Sequence, residues 1–461
     1  MMTDLFSSLP LPAAQLANLE RLGYATMTPI QAASLPALLA GRDLIARAQT
    51  GSGKTAAFGL GLLARLNPRY FGTQALVLCP TRELADQVAK EIRRLARFAD
   101  NIKVLTLCGG SPIAPQRISL EHGAQVVVGT PGRVLDHVER GTLKLDSLKT
   151  LVLDEADRMV DMGFYDEMAR IADACPRARQ TLLFSATYPD AIRQQSARFL
   201  ADPLEVSVEA QHGDERIAQT FYEVEPEARA AAVARLLRHH RPESAIAFCN
   251  TKARCRELVD ALSGEGIAAL ALSGELEQRE RDEVLVRFAN KSCTLLVATD
   301  VAARGLDIAG LDLVINVDLT PDPEVHVHRI GRTGRAGESG RAVSLATPLD
   351  GRRAAQIEDY LGRPLVWAKL AELPPSAPAP LTPAMVTVQI LGGRKDKVRP
   401  GDILGALTGE AGLPGSAVGK IALFDHVSYV AVERGAAKKA LKRLAEGGIK
   451  GRTAKARLIG A

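Results

Sequence analysis

The segment Ala48–Thr55, with the sequence AQTGSGKT, has the residue types and spacing of a phosphate-binding loop. It follows the apolar run DLIARA and precedes a stretch rich in alanine and leucine, which predicts strand, loop and helix in that order. Lys54 would reach the β- and γ-phosphates of ATP, and Thr55 would hold Mg²⁺. Such loops usually open with glycine, where this chain has Ala48. The backbone amides that would surround the phosphates at the helix N-terminus belong to Gln49, Thr50, Gly51, Ser52 and Gly53.

The acids in LVLDEADRMVDMGF, residues 151–164, could bind a metal ion and activate water. Asp154 comes at the carboxyl end of a predicted parallel strand, the edge where open α/β sheets bind ligands. An acid there can coordinate Mg²⁺ through water, while the adjacent Glu155 can orient or deprotonate the attacking water. Helix capping could explain Asp157. Two adjacent acids after a phosphate loop nevertheless favour metal-assisted hydrolysis.

Parallel sheets must position these side chains, because apolar β-type runs alternate with helical patterns along the chain. The break between two such series lies around residues 209–216. The fold class is therefore α/β, with two tandem parallel-sheet domains followed by a small α+β domain. Predicted strands lie within 43–48, 74–80, 103–109, 125–131, 150–156 and 180–186, and then, from a second series, within 245–251, 269–274, 294–300 and 313–318.

Length and composition restrict the class of protein. A chain of 461 residues is too long for one ordinary core, and its 46% hydrophobic and 24% charged residues are typical of a soluble protein. No apolar run approaches the roughly 18–20 residues that span a bilayer, so we expect a cytoplasmic protein without membrane contact. The six cysteines lack paired CxxC spacing, which disfavours both a disulfide framework and a zinc site.

The sequence divides into four segments. We predict a first parallel-sheet domain at 1–208, a second at 209–372, a linker at the Pro/Ala-rich stretch 373–384, and a β-α-β-β-α-β domain at 385–461. From Leu381 onward there are 14 Lys/Arg against 6 Asp/Glu, a net charge of +8, whereas the whole chain carries only +5. A basic partner-binding surface is therefore expected at the C-terminus.

Residues 154–157 read D-E-A-D, and residues 1–370 resemble a DEAD-box RNA helicase in the order and spacing of their motifs. This resemblance implies two RecA-like domains, adenine recognition by Gln31, and Phe6 as the isolated upstream aromatic. Thr28 and Pro29 also predict the N-cap and first residue of a helix. The segment SAT at 185–187 resembles the element that couples hydrolysis to strand separation, through Ser185 and Thr187. The motifs PTRELA, GG and TPGR resemble RNA-backbone contacts and imply Arg82, Gly110, Thr130, Gly132 and Arg133.

The second half of the chain resembles the part of the family that completes the ATP site across a cleft. ATDVAARGLD implies Asp307 near the ribose and γ-phosphate, and HRIGRTGR implies Arg332 and Arg335 as arginine fingers. FCN implies RNA contact by Asn250, and Gln278 with Arg281 matches a motif for domain coupling. The resemblance implies that ATP closes the two domains on one RNA strand and bends it, which gives local, non-processive unwinding.

The C-terminal segment resembles the RRM-like RNA-binding domain of the DbpA subfamily. That resemblance implies a hairpin of large-subunit 23S ribosomal RNA as target, a pre-ribosomal particle as partner and a monomeric protein. Tyr429 is the only aromatic of the third-strand candidate SYVAVE, so we expect phosphate contacts from basic loops to carry much of the affinity. The cations expected to make them include Arg394, Lys395, Lys397 and Lys420.

Alternative functions remain at this point. The chain could be a DNA helicase or other translocase, although the D-E-A-D and S-A-T strings disfavour this. It could be an RNA-clamping scaffold that binds ATP without useful turnover, although Glu155 and the two arginines give that no support. The C-terminal segment could also be a basic solubility or dimerisation domain.

Overall fold

The computed structural model describes residues 5–48, 51–185, 193, 196, 198–208, 217–303, 310–334, 339–374, 381–409, 412–446, 448–449 and 454–459. Their strands form two sheets of seven strands and one sheet of four. The first sheet lies in one compact unit, and the second and third sheets lie together in another. The predicted α/β class, with two parallel-sheet domains and a small α+β domain, is confirmed.

The first sheet is parallel throughout, with strand order β3-β4-β2-β5-β6-β1-β7. Alternate residues of its central strands enter two separate apolar cores, so both faces of the sheet are covered. Burial on both faces explains the nearly continuous Val/Leu/Ile runs that predicted these strands. The strands are β1 Leu44–Arg47, β2 Ala75–Leu78, β3 Val104–Leu107, β4 Val126–Gly129, β5 Thr150–Asp154, β6 Gln180–Ser185 and β7 Leu204–Ser207.

The helices of this unit carry most of the predicted first-domain motifs at their N-terminal ends. Thr28 is the N-cap of α2 and Pro29 its first residue, as predicted. The helices are α1 Ala13–Arg21, α2 Pro29–Leu39, α3 Lys54–Ala64, α4 Arg82–Leu95, α5 Ile113–Glu121, α6 Pro131–Glu139, α7 Ala156–Asp161 and α8 Tyr165–Asp173.

The second sheet is also parallel, with order β10-β11-β9-β12-β13-β8-β14. Its strands are β8 Ile217–Glu223, β9 Ala245–Phe248, β10 Ala269–Leu272, β11 Leu295–Ala298, β12 Leu313–Asn316, β13 Gly340–Ala346 and β14 Trp367–Ala368. The helices among its described residues are α9 Arg229–His240, α10 Lys252–Gly264, α11 Gln278–Ala289, α12 Asp300–Ala303, α13 Pro323–Ile330 and α14 Gly351–Leu361.

The prediction that the second series of strands starts near residue 245 is wrong. β8 precedes that point, and β13 and β14 follow the last predicted strand. These strands, like β7, lie toward one side of their sheets, where all four residues of β7 and four of the seven residues of β8 are exposed or half-buried. Because they lack a continuous apolar run, a search for fully buried strands misses them. The predicted break at 209–216 lies outside the described residues.

The third sheet has the predicted β-α-β-β-α-β order and is antiparallel, with strand order β16-β17-β15-β18. One face packs against its two helices through residues such as Val388, Ile390 and Val430. Its elements are β15 Met385–Leu391, α15 Pro400–Thr408, β16 Val418–Leu423, β17 Val427–Glu433, α16 Ala437–Glu446 and β18 Ala456–Ile459.

The other face of the third sheet is covered by the segment that follows α11. Thr387 is fully buried, and its Oγ1 accepts a hydrogen bond of 3.1 Å from Asn290 Nδ2 and lies 2.6 Å from Ser292 Oγ. Tyr429 on the neighbouring strand is 1% exposed. Leu381, in the predicted linker, is buried in the core of the second sheet. The small domain is therefore packed against the second RecA-like domain. No helix of the described residues is long and apolar enough to cross a membrane.

Candidate active site and RNA-binding surfaces

The phosphate-binding loop leaves β1 and enters α3 in the predicted strand–loop–helix arrangement. Gly51 and Gly53 have φ angles of +86° and +96°, which side chains with a Cβ rarely adopt. Lys54 is buried, and its Nζ donates to the carbonyl oxygen of Ala48 at 2.7 Å. The ammonium group is thus held across the loop. Of the predicted loop residues, Gln49 and Thr50 lie outside the described residues.

Gln31 contacts this loop directly. Its Nε2 donates to the carbonyl oxygen of Gly53 at 3.1 Å, while its Oε1 accepts from the backbone amide of Thr28 at 2.9 Å. A Cβ at Gly53 would lie 2.6 Å from Gln31 Nε2, so the glycine also makes room for this contact. Phe6 is 4% exposed and packs edge-on against Tyr24, with ring centroids 6.1 Å apart. Its part in binding the nucleotide stays a prediction.

Asp154 ends β5 and is almost completely buried. Burial raises the pKa of its carboxyl to about 7, and the positive charge of Lys54 opposes this rise. The charge of Lys54 compensates only part of the cost of burying the Asp154 carboxylate. A divalent cation bound at this position would compensate the rest. Thr55, the second residue of α3, supplies a hydroxyl next to Lys54. These two residues are the predicted Mg²⁺ ligands.

Glu155 has a left-handed backbone conformation, with φ +53° and ψ +52°. Such a conformation costs a non-glycine residue about 1–3 kcal/mol and is concentrated at functional sites. The side chain is buried, its Oε2 lies 3.6 Å from Arg158 Nε, and that oxygen accepts no hydrogen bond from the described residues. One carboxylate oxygen of the predicted water-orienting residue is thus unsatisfied.

The predicted coupling element is joined to the phosphate-binding loop by the sheet. Ser185 is the last residue of β6, and its carbonyl oxygen accepts from the backbone amide of Ala48 at 3.1 Å. The start of the loop and the start of the S-A-T string therefore cannot move independently. Thr187 lies outside the described residues.

The predicted RNA contacts of the first domain follow β2, β3 and β4, at the carboxyl edge of the sheet. Arg82 begins α4 and its guanidinium lies against Gly110, whose φ is +75° and whose missing Cβ makes this approach possible. Thr130 is the N-cap of α6, and Gly132 is exposed in its first turn. Arg133 donates from both Nη atoms to the carbonyl oxygen of Ser111 at 3.1 Å.

In the second domain, Asn250 is held by two neighbouring elements. Its backbone amide donates to Asp318 Oδ2 at 3.0 Å, and its Nδ2 donates to the carbonyl oxygen of Leu319 at 3.0 Å. Arg332 is 6% exposed and follows the end of α13. Arg335 and Asp307, the other predicted members of the ATP site in this domain, lie outside the described residues.

The sequence matches three family models: DEAD/DEAH box helicase over residues 28–195, helicase conserved C-terminal domain over 228–337, and DbpA RNA binding domain over 387–458. It is 56% identical over 457 residues to the ATP-dependent RNA helicase DbpA of Escherichia coli (strain K12). That alignment covers 98% of this chain and 99% of the E. coli protein. The chain belongs to the DbpA family of DEAD-box ATP-dependent RNA helicases.

Other relatives match over the helicase part. The DEAD-box ATP-dependent RNA helicase CshA of Geobacillus kaustophilus (strain HTA426) is 45% identical over 354 residues, which cover 77% of this chain and 76% of CshA. The solved structure of S. cerevisiae Dbp5 bound to RNA and ADP BeF3 has a TM-score of 0.73 and 33% identity, covering 80% of this chain and 96% of that chain. As a DbpA-type enzyme, the protein is an RNA-dependent ATPase and RNA helicase that uses ATP.

The DbpA RNA-binding domain presents its predicted cations on loops and a strand edge. Arg394, Lys395, Lys397 and Lys420 are all exposed. Arg394 donates to the carbonyl oxygen of Leu423 from Nε and Nη2, and Lys395 lies 3.0 Å from Asp425. By contrast, the sheet face with Tyr429 is covered. Burial raises the pKa of Tyr429, whose hydroxyl accepts from Gln389.

Three further residues of this DbpA-type enzyme contact the predicted site residues, and the sequence motifs did not single them out. Arg158 lies three residues after Glu155, a helical spacing that could have indicated the contact. Arg329 lies inside the motif HRIGRTGR and binds Asp300 and Asn250 in the second domain. Gln116 binds Arg133 in the first domain. The spacing of the sequence gives no local signal for two of these contacts, because Gln116 and Arg133 lie 17 positions apart, and Arg329 and Asn250 lie 79 positions apart.

Proposed function

We propose that this helicase locally unwinds or remodels 23S ribosomal RNA during assembly of the large ribosomal subunit. The observation that carries the proposal is the DbpA RNA binding domain at residues 387–458, within a segment of net charge +8. A DEAD-box core supplies ATP-driven strand separation of any RNA that it grips. A dedicated RNA-binding domain supplies the choice of target. The proposal includes a hairpin of that RNA as the recognised element, a pre-ribosomal particle as partner, a monomeric enzyme and a cytoplasmic location.

The first domain would bind the phosphates of ATP. Gly51, Gly53 and the N-terminus of α3 offer backbone amides, and Lys54 would turn its ammonium toward the β- and γ-phosphates. Thr55 and Asp154 would hold Mg²⁺, which would supply neutralisation of phosphate charge. Glu155 would orient the attacking water through its unsatisfied carboxylate oxygen and take up its proton.

The second domain would complete the site with Asp307, Arg332 and Arg335. A guanidinium beside the transferring phosphoryl group stabilises its charge, and losing it costs roughly 10³–10⁵ in rate. ATP would thus be hydrolysed only when both domains contact it. In that state the arginines, threonine and glycines of the first domain, with Asn250 of the second, would hold one RNA strand by its phosphates and sugars and bend it.

Recognition of the target would come from basic loops of the third domain, since its sheet face packs on the second domain. An ordinary RRM stacks bases on aromatic residues of that face. Here Tyr429 is 1% exposed and cannot stack on a base without separation of the two domains. Arg394, Lys395 and Lys397 lie in one exposed turn, where they would contact phosphates.

Substituting Glu155→Gln tests the chemistry. The amide keeps the size of the carboxylate and loses its basicity, so ATP and RNA binding should persist while kcat falls roughly 10²–10⁴-fold. Glu121→Gln, an exposed change on α5, is the matched control and should leave kcat unchanged. Near-normal turnover in Glu155→Gln would show that another group activates the water.

Comparing RNAs tests the target. ATPase activity should be measured at matched concentrations of large-subunit ribosomal RNA, small-subunit RNA and a random-sequence RNA of equal length. The large-subunit RNA should give the lowest KM. Equal KM values would contradict the ribosomal assignment, and equal unwinding of RNA and DNA duplexes would support a general translocase.

Substituting Lys395→Ala together with Lys397→Ala tests the recognition surface. Each lost phosphate contact should lower the log–log salt dependence of hairpin binding by about 0.7–0.9. Tyr429→Phe, which removes only a buried hydroxyl, is the control and should leave affinity and slope unchanged. Loss of binding in Tyr429→Ala, which removes the ring, with an unchanged double-lysine variant would mean that the sheet face reads the RNA.

A further inference from the structure

The side-chain amide of Gln116, on α5, uses its complete hydrogen-bonding capacity. Its Nε2 donates to the carbonyl oxygen of Cys108 and to Ser111 Oγ, each at 3.0 Å. Its Oε1 accepts from Arg133 Nη1 at 3.0 Å and lies 3.0 Å from His137 Nε2. A primary amide has two donors and two acceptor positions, and all four are occupied here. The amide therefore joins the turn after β3 to the first two turns of α6.

Arg133 fixes which way this amide points, because its guanidinium can only donate and Gln116 Oε1 accepts from it. The ring of His137 is completely buried, and its Nδ1 lies 2.8 Å from Thr142 Oγ1. Burial, aided by the charge of Arg133, lowers the pKa of His137, so the ring is neutral at pH 7. Gln116 Oε1 can only accept, so Nε2 of the ring carries the proton. The Thr142 hydroxyl has one proton, and it lies within donating distance of both Nδ1 and the backbone carbonyl oxygen of His137, 3.0 Å away.

These contacts orient the guanidinium of Arg133. Its two Nη atoms share the carbonyl oxygen of Ser111, and the outer N–H of Nη1 is taken by Gln116. Among the described residues, Nε–H and the second N–H of Nη2 have no partner. These two donors form the side edge of the guanidinium, which matches two oxygens of one phosphate.

We propose that Gln116 is a positioning residue for RNA binding, which holds Arg133 with this edge open toward the RNA backbone. The inference rests on the proposed contact between Arg133 and RNA. An arginine that is free to rotate must be immobilised when RNA binds, whereas one already fixed by Gln116 and Ser111 loses little further freedom. Gln116 itself does not touch the RNA. Its amide acts through Arg133.

Three single variants of the full-length enzyme test this role in RNA-stimulated ATPase assays. Gln116→Met removes all four hydrogen bonds at similar volume and should raise the KM for RNA roughly three- to tenfold, the effect of immobilising one side chain on binding. The kcat at saturating RNA and the KM for ATP should stay unchanged. Gln116→Glu keeps both acceptor contacts and should restore the KM for RNA to within about threefold of wild type. Ile118→Met, exposed on the same helix, is the control.

Comparing Arg133→Met with Gln116→Met distinguishes the positioning role of Gln116 from the proposed contact between Arg133 and RNA. If Gln116 acts through Arg133, Arg133→Met should raise the KM for RNA and the double variant should raise it no further. An additive double variant, or equal losses in Gln116→Met and Gln116→Glu, would overturn the positioning role while leaving Arg133 as an RNA contact. An unchanged KM in Arg133→Met would overturn both. A fall in kcat alone would indicate a general structural role and also overturn the inference.

Discussion

The two RecA-like domains hold their candidate RNA-binding motifs by different chemistry. In the first, the neutral amide of Gln116 binds Arg133 and His137. In the second, the side chain of Arg329 is 1% exposed, and its guanidinium binds both oxygens of Asp300 at 2.7 Å. Its other N–H groups bind the carbonyl oxygen of Asp318 at 2.8 Å and Asn250 Oδ1 at 3.0 Å. One domain thus uses a neutral centre, and the other uses a buried ion pair.

This difference determines what the loss of one partner costs. A hydrogen bond between neutral groups contributes about 0.5–1.5 kcal/mol to stability, and one to a charged group such as Arg133 about 1.5–3 kcal/mol. Arg133 is only half-buried, so water can reach it when the amide is lost. A buried ion pair that loses one partner leaves an uncompensated charge, which typically costs about 3–5 kcal/mol. The second domain should therefore be the more sensitive of the two to substitutions at these positions.

The largest effect is expected for Arg329→Met. It leaves the Asp300 carboxylate, three-quarters buried, without its partner and removes the cation that lies 5.2 Å from the Phe248 ring centroid. We expect the second domain to lose about 3 kcal/mol of its unfolding free energy. Trp367, the only tryptophan, lies in β14 and reports this domain alone in urea unfolding followed by fluorescence. Arg353→Met removes a half-exposed partner of Asp350 and should cost under about 1 kcal/mol. Equal losses would contradict the distinction between buried and exposed pairs.

Acid should weaken the second domain through His326. Its ring is 1% exposed and stacks on Phe221, and burial, aided by the charge of Arg329, lowers its pKa from 6.5 to about 4. The folded state thus favours the neutral ring. The stability that follows is complete above pH 6.5 and is lost as the pH falls toward about 4, by up to about 3 kcal/mol.

His326→Gln removes this titration. The loss of stability between pH 7 and pH 5, read from Trp367 fluorescence, should shrink by about 2 kcal/mol in the variant. His240, whose pKa is also lowered to about 4, continues to titrate in both proteins. An unchanged pH dependence would mean that His326 is not the group that acid protonates.

A smaller loss is expected for Arg229→Met. Arg229 lies 3.3 Å from both Asp318 and Asp350, and its side chain is 11% exposed. Asp350 keeps Arg353 and the hydroxyl of Thr347, and Asp318 keeps the backbone amide of Asn250, so each acid retains a donor. We expect a loss of about 1–2 kcal/mol in the same fluorescence assay. A loss equal to that of Arg329→Met would show that the ion pairs of this domain act as one cooperative network.

The site residues that can be predicted from the sequence lie in short contiguous motifs. Gly51 to Thr55, Asp154 with Glu155, and the turn containing Arg133 each follow a buried strand, whose apolar run gives both the element and its edge. Gln116 and Arg329 were not predicted, because their contacts join residues that are distant in sequence. Each is a polar residue on a helix, and its role arises only when strands that are distant in sequence become neighbours.

The C-terminal domain also contains a contact that local sequence patterns do not predict. Its order of strands and helices was predicted from periodicity, because alternation within each strand marks the face that packs on its helices. The residues on the other face, Thr387 and Tyr429, read as solvent-facing in such a pattern. Thr387 is covered by Asn290 and Ser292, which lie 97 and 95 positions earlier. Docking between domains leaves no local periodic signal in a sequence.

The smallest effect is expected for Thr142→Val, which tests how well the first domain tolerates the loss of one partner. Valine keeps the shape of threonine and removes the hydroxyl that contacts His137 Nδ1, 2.8 Å away. The hydroxyl also lies 3.0 Å from the carbonyl oxygen of His137 and has one proton for these two neutral contacts, so the first domain should lose about 1 kcal/mol in thermal unfolding followed by far-UV circular dichroism. Gln116 keeps its contacts to Cys108, Ser111 and Arg133, so the KM for RNA should change less than about twofold. If Thr142→Val raised that KM as much as Gln116→Met does, the neutral centre would be as intolerant of a lost partner as the ion pair, and the proposed contrast between the domains would fail.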